Sequence, residues 1–210
     1  MSRLADLIAR HCPNGVPHKA LGEIGVFSRG RRFTKEDVVD EGLPSIHYGE
    51  IYTRYGTWAH SAVAHVRREL RDQLRFAKSG DVVVAGVGET VEDVGKAVAW
   101  LGTEDVAFHD DCFAFRHEQD AKYIAYSMQA SAFHAQKNKY VARAKVKRLS
   151  GESLAKIRIP VPPLPVQQEI SRVLDRFAEL EAQLKAELEA ELEARRRQYA
   201  YYRDSMLTFT

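Results

Sequence analysis

The residues of this sequence best able to do chemistry are cations and planar polar side chains, and they cluster. Arg29, Arg31, Arg32 and Lys35 fall within RGRRFTK, residues 29 to 35, with no acid among them. Lys137, Lys139, Arg143, Lys145, Lys147 and Arg148 fall within KNKYVARAKVKR, residues 137 to 148, again without an acid. Two such runs brought together by folding make a surface for phosphates, because each neutralised phosphate releases condensed counterions. Either run alone is equally compatible with a solvated face. Between them in the chain, SIHYGEIYTRYG (residues 45 to 56) interleaves His47, Tyr48, Glu50, Tyr52, Thr53, Arg54 and Tyr55 in what reads as a surface loop. Base edges call for Arg at guanine, Glu or Asp at cytosine, and small or aromatic groups at the thymine methyl. Arg54, Glu50 and Thr53 are therefore the candidates for base contact, with His47, Tyr48 and Tyr52 beside them, while the cationic runs suit phosphates. Tyr48 and Tyr52 could equally fill a core beneath the loop. Thr90, exposed in a tight turn, joins the same set of polar groups.

Catalytic constellations are missing from the pattern. GVGET (residues 86 to 90) follows a strand-like run but lacks the GK[ST] ending of a phosphate loop and the spacing of a dinucleotide fingerprint. Pro162 and Pro163 lack the preceding Asn or Asp and the following aromatic of an amino-methyltransferase motif. His109, Asp110, Asp111 and Cys112 offer imidazole, carboxylate and thiolate ligands, but strand alternation would splay neighbours to opposite faces, so no metal is expected. Glu89, Glu92 and Lys96 do not keep the spacing of a familiar nuclease strand. No serine, histidine and acid set can be nominated from the sequence.

The elements that must position these residues fall into two parts. Residues 1 to 160 read as a mixed α/β domain. Strand-like runs lie at Ile24 to Phe27, Ser45 to Tyr48, Asp81 to Val87, Ala97 to Trp100, Cys112 to Arg116 and Ile157 to Val161, and helical patterns at Leu4 to His11 and Lys122 to Phe133. Residues 161 to 210 begin with IPVPPLPV, whose Pro160, Pro162, Pro163 and Pro165 enforce an extended linker, and continue as a helix from about Gln167. Ile170, Val173, Phe177, Leu180 and Leu184 keep the spacing of a heptad seam. The spacing slips by a four-residue stutter at Leu188 and Leu192 and resumes at Tyr199, Tyr202 and Met206. Acids precede Arg195, Arg196 and Arg197 along the helix, which suits an antiparallel partner. A helix of about 40 residues is about 60 Å long, more than a small domain needs, so an equivalent helix is expected beside it, from a homodimer or from a partner protein.

Charge follows the same division: 24 Lys/Arg stand against 20 Asp/Glu in residues 1 to 160, net +4, and 7 against 9 in the remainder, net −2. Cys12 and Cys112 cannot supply a four-cysteine zinc site and read as reduced structural thiols. No apolar run approaches the roughly 20 residues of a membrane span, so a soluble cytoplasmic protein without membrane contact is expected.

Several stretches carry a family resemblance: GEIGVFSRGRRFTKED (residues 22 to 37), GLPSIHYGEIYTRYG (42 to 56), SGDVVVAGVGET (79 to 90), VKRLSGESLAKIRIPVPPLPVQQEI (146 to 170) and the Glu-rich helix from Leu174. The chain resembles the specificity subunits of type I restriction-modification systems. The progression from I-x-I-P-x-P-P-L through glutamine to a long acidic helix is its most specific feature. The resemblance implies a target-recognition domain followed by a spacer helix, with no catalysis in the chain itself. It also implies double-stranded DNA, a methyltransferase subunit holding S-adenosylmethionine, and a restriction subunit as partners. The usual subunit has two recognition domains and two spacer helices, whereas this sequence has one of each. Two copies with antiparallel helices would restore that shape and read an interrupted palindrome. A methyltransferase or nuclease fragment that kept a recognition domain is the alternative, and a DNA-free coiled-coil scaffold leaves the basic runs unexplained.

Overall fold

The computed structural model describes residues 3–142 and 146–208, and the chain divides into two compact units, Met1–Gln168 and Glu169–Thr210. The first is a mixed α/β fold on two five-stranded sheets. One sheet runs Gly25–Arg29, Cys112–His117, Val82–Ala85, Ala97–Trp100, Trp58–Ala59, antiparallel except at its last pair. The other runs Val38–Val39, Ala64–Val66, Leu43–Ile46, Val106–Phe108, Phe76–Ala77, with only Leu43–Ile46 and Val106–Phe108 parallel. Two short ribbons pair His18–Ala20 with Arg158–Pro160 and Val87–Gly88 with Lys147–Arg148. The α-helices are α1 (Arg3–His11), α2 (Leu21–Ile24), α3 (Tyr48–Thr53), α4 (Ala121–Ser127), α5 (Ser131–Lys137), α6 (Gly151–Lys156) and α7 (Leu164–Leu207).

Continuous apolar runs become strands buried on both faces. Every residue of Val82–Ala85 and Ala97–Trp100 is buried, as expected when a sheet is covered on both sides. The core joins the two sheets: Ile46, Val106 and Phe108 from one cluster with Val83, Val98, Trp100 and Ala114 from the other, and Ile51 of α3 closes it.

Ala97–Trp100 appears with the expected ends and the other strand-like runs with shifted ones, and three local readings change. SIHYGEIYTRYG is not a loop: α3 occupies its middle, because His47 caps the helix and Glu50 reaches back to the His47 N–H at 2.8 Å. The pattern from Lys122 to Phe133 is two helices; Ala130 takes extended backbone (φ −66°, ψ 145°) ahead of α5, and Phe133 turns into the core. The long helix begins at Leu164, with Pro165 in its first turn rather than in an extended linker. That turn has no N–H partners to lose, so proline is tolerated there.

Within the second unit the helix is exposed from Arg176 onward apart from a partly covered Ala200. Its surface is laced by Glu191–Arg195 and Glu193–Arg197 pairs at i,i+4, the favourable acid-before-base order. Leu184, Leu188 and Leu192 line an exposed apolar strip together with Lys185 and Glu189. Among the described residues no helix is long and apolar enough to cross a membrane.

Candidate nucleic-acid interface

Three sequence-distant segments meet at the edge where the strands Gly25–Arg29 and Val106–Phe108 end and Cys112–His117 begins. The first strand delivers Arg29 and then passes directly over the His109–Asp111 turn. Gly30 N–H donates to the Cys112 carbonyl at 3.1 Å and Arg31 N–H to the Phe108 carbonyl at 3.2 Å. A Cβ on Gly30 would lie 2.1 Å from the His109 carbonyl oxygen, so only glycine fits this crossing. Phe33 is buried and meets the His109 ring edge-on, with centroids 5.0 Å apart. It anchors the basic run, leaving Arg31, Arg32 and Lys35 exposed around it. The run then turns where Thr34 N–H and Oγ1 donate to Asp37 Oδ2 at 2.7 and 2.9 Å. Those bonds and the Arg67 guanidinium hold the Asp37 carboxyl below its ordinary pKa.

The second segment is the turn itself. Cys112 N–H donates to the His109 carbonyl (2.9 Å), Asp111 N–H to His109 Nδ1 (3.2 Å) and Gly86 N–H to the Asp111 carbonyl (2.8 Å). The third is the ribbon strand Lys147–Arg148, held where Leu149 N–H donates to the Gly86 carbonyl at 2.9 Å. His47, at the start of α3, completes the wall.

Together these segments enclose an open cleft of about 450 Å³ lined by Arg29, Arg32, Phe33, Thr34, Lys35, His47, His109, Asp110, Asp111 and Arg148. Four cations face two acids across it. Arg29 pairs with Asp110, through Nε to its carbonyl at 2.6 Å and through a terminal nitrogen to Oδ2 at 3.5 Å; Arg148 pairs with Asp111 Oδ1 at 3.3 Å. His47 is not one of the cations. Burial, and after it the neighbouring His109, push its pKa down to about 4, so it is neutral at pH 7 and serves as a hydrogen-bonding group.

Of the residues expected to meet DNA, the fold thus gathers Arg29, Arg32, Lys35, His47 and Arg148 into one cleft. Tyr48 lies half-buried against the core. Tyr52 lines a second cleft of about 550 Å³ on the other side of α3, with Gln129, His134 and the Lys96 ammonium 5.8 Å above its ring centroid. Thr53 and Arg54 are exposed at the far end of α3, and the Thr53 hydroxyl donates back to the Gly49 carbonyl at 2.7 Å. Arg31 and Lys139 are exposed but line neither cleft, while Lys147 is half-buried in the ribbon. Arg143 and Lys145 lie outside the described residues.

Lys137 and Glu50 are engaged elsewhere than expected. Lys137 is fully buried, its Nζ donating to the Val91 and Val94 carbonyls at 2.8 and 2.6 Å, so its amine is not presented to phosphates. The Glu50 carboxylate is turned into the α3 N-terminus, and burial raises its pKa. Thr90 is exposed, but its hydroxyl donates to Asp93 at 2.8 Å and closes the turn.

The acids of the cleft were visible in the sequence only as metal-ligand types. The alternation argument fails for them, since they form a turn whose ligand atoms lie within 4.8 Å of one another. Their carboxylates also pair with the Arg29 and Arg148 guanidiniums. Phe33 carried no signal except its apolar character inside a basic run.

A family model described as Type I restriction modification DNA specificity domain matches residues 13–194. Among curated proteins, the chain is 24% identical over 199 residues to a Haemophilus influenzae protein named as a type I restriction enzyme specificity subunit, S.HindORF215P. The match covers 90% of this chain and 47% of that protein, so the chain spans about half of the relative's length. Solved structures share the fold. The HsdS subunit from Thermoanaerobacter tengcongensis matches with a TM-score of 0.56 at 18% identity, covering 87% of this chain and 44% of that one. A chain solved in work on complex assembly and conformational transition of the type I R-M system gives 0.60 at 19% identity, over 90% of this chain and 47% of the other. The S subunit from M. genitalium gives 0.53 at 13% identity, over 79% and 40%.

Proposed function

This chain belongs to the family of type I restriction-modification DNA specificity domains, and from that premise we propose that its first unit reads double-stranded DNA through the cleft between residues 29–35, α3 and Arg148. The observation that carries the reading is the convergence of Arg29, Arg32 and Lys35 with Arg148, more than 110 residues further along the sequence, around one open polar surface. Phosphates would meet Arg32 and Lys35, both exposed, while His47 at the start of α3, inside the cleft, and Arg54 at its far end, outside the cleft, would meet base edges.

The chain acts without chemistry of its own. It directs a methyltransferase subunit, which holds S-adenosylmethionine, and a restriction subunit to the site it reads. The second unit is a spacer that pairs with the same helix of another copy, through a seam including Ile170, Val173, Phe177, Leu180, Leu184, Leu188, Leu192 and Tyr199. Support comes from the exposed leucine strip along a helix about 66 Å long by its rise per residue. Exposed apolar rows of this kind mark interaction surfaces. Two domains on antiparallel helices would read an interrupted palindrome.

Selection from a pool of randomised duplexes tests the reading. The wild-type chain with its methyltransferase subunit should enrich a two-part site, and Arg54→Ala should relax one base position in each half. Recovery of random sequence by the wild type would refute it.

A further inference from the structure

Acids are an expensive feature in a cleft meant only to hold phosphates. Asp110 and Asp111 cut the cleft's formal charge from four cations to a net of two, and both carboxylates are spent on the arginines opposite. The two partners also differ in freedom. The acids sit on a turn clamped by backbone bonds at Cys112, Gly86 and Asp111 and roofed by Gly30, whereas the side chains of Arg29 and Arg148 remain 56% and 59% exposed. The carboxylates therefore stand on the constrained side of each pair and the guanidiniums on the more solvent-exposed side.

The same four side chains line a second opening of about 350 Å³ on the other side, beside Phe113 and Tyr140. Arg29–Asp110 and Arg148–Asp111 thus form a partition between two clefts, and both guanidiniums are held at its rim. A phosphate approaching either arginine must compete with a carboxylate already in place and is repelled by it. A base edge needs no such exchange, because a guanidinium paired on one side still offers donors on another.

We propose that Asp110 and Asp111 are specificity-determining residues, which hold Arg29 and Arg148 in a fixed pose for base edges and withhold them from the phosphates of non-cognate duplex. This rests on the cleft being the DNA-reading surface. It assigns the acids a positioning role that acts through the arginines.

The test uses the full chain and a short duplex of random sequence, with affinity measured by fluorescence anisotropy across a range of salt. Asp110→Asn with Asp111→Asn keeps side-chain size and the backbone bonds of the turn but removes both charges. Non-specific binding should tighten about tenfold at low salt, and the salt slope should steepen by about 2 as two more cations reach phosphates. Selection from a randomised pool should return a less defined site. Asp110→Glu with Asp111→Glu should restore the wild-type slope. Glu118→Gln, an exposed acid outside the cleft, should change neither slope nor site.

Unchanged or weaker non-specific binding by an asparagine variant that still unfolds cooperatively would overturn the proposal. If the double variant loses its cooperative transition, the single substitutions decide, each expected to tighten binding about threefold and steepen the slope by about 1. Failure of the DNA-reading assignment looks different: the wild-type chain itself would then show no salt-dependent binding to duplex.

Discussion

Lys137 donates to two backbone carbonyls inside the first unit, and burial draws its pKa from 10.5 down to about 8. Between those values the unfolded chain binds more protons than the folded one, so Lys137 makes stability rise as pH climbs from about 8 toward 10.5. Lys137→Met should flatten that rise. It should also lower stability by about 1–3 kcal/mol by stranding the Val91 and Val94 carbonyls. Thermal unfolding across pH 7 to 10 checks both, and duplex affinity of the folded variant should not change. His47 gives the acid-side counterpart. Its folded pKa of about 4 lies below its ordinary 6.5, so stability is lost as pH falls from about 6.5 to 4, and His47→Gln should remove that part of the acid sensitivity. In the sequence Lys137 is indistinguishable from Lys139, two residues beyond the end of α5. Lys137 closes α5 on its buried side whereas Lys139 is exposed in the turn that follows, and a basic run does not reveal where the helix stops.

Elements, more than individual charges, decide where the cleft's cations point. Phe33 anchors the arginine-rich loop, so Phe33→Ala should cost about 3–5 kcal/mol, and in conditions where the variant remains folded it should weaken duplex binding although no charge is lost. Denaturant unfolding and anisotropy on the same samples check the pair of effects. Gly30→Val should be worse for folding than Gly15→Val: a side chain at Gly30 meets the His109 carbonyl, while Gly15, although at φ +87°, has open space around it. At this scale the sequence was most legible where strands are continuously apolar: Ala97–Trp100 was read with its exact ends and Cys112–His117 to within one residue. It was least legible at α3, where tyrosines, a glycine and short polar groups resemble a loop, and only the His47 and Glu50 cap makes the helix. The contact between RGRRFTK and the 109–111 turn was not legible at all, because it depends on Gly30 passing over a carbonyl about 80 positions away.

At the scale of the whole molecule, the unit proposed to read DNA continues into a helix with an exposed apolar strip, and the two assignments can be tested separately. Light scattering on the 210-residue chain should give the mass of a dimer, and Leu184→Asp with Leu188→Asp should give a monomer that still binds duplex. The proline segment and heptad spacing made the helix itself legible, since periodicity over many turns is a strong local signal. Its partner was not legible, because a seam of leucines does not name the surface that covers it. The central claim, that the cleft beside residues 29–35 meets DNA, is tested most directly by duplex affinity against salt for the wild-type chain and for Arg32→Glu with Lys35→Glu. Salt-dependent binding by the wild type, with the variant's slope shallower by about 2 and its affinity reduced on all sequences alike, is the predicted result. Identical slopes and affinities for the two proteins would contradict it.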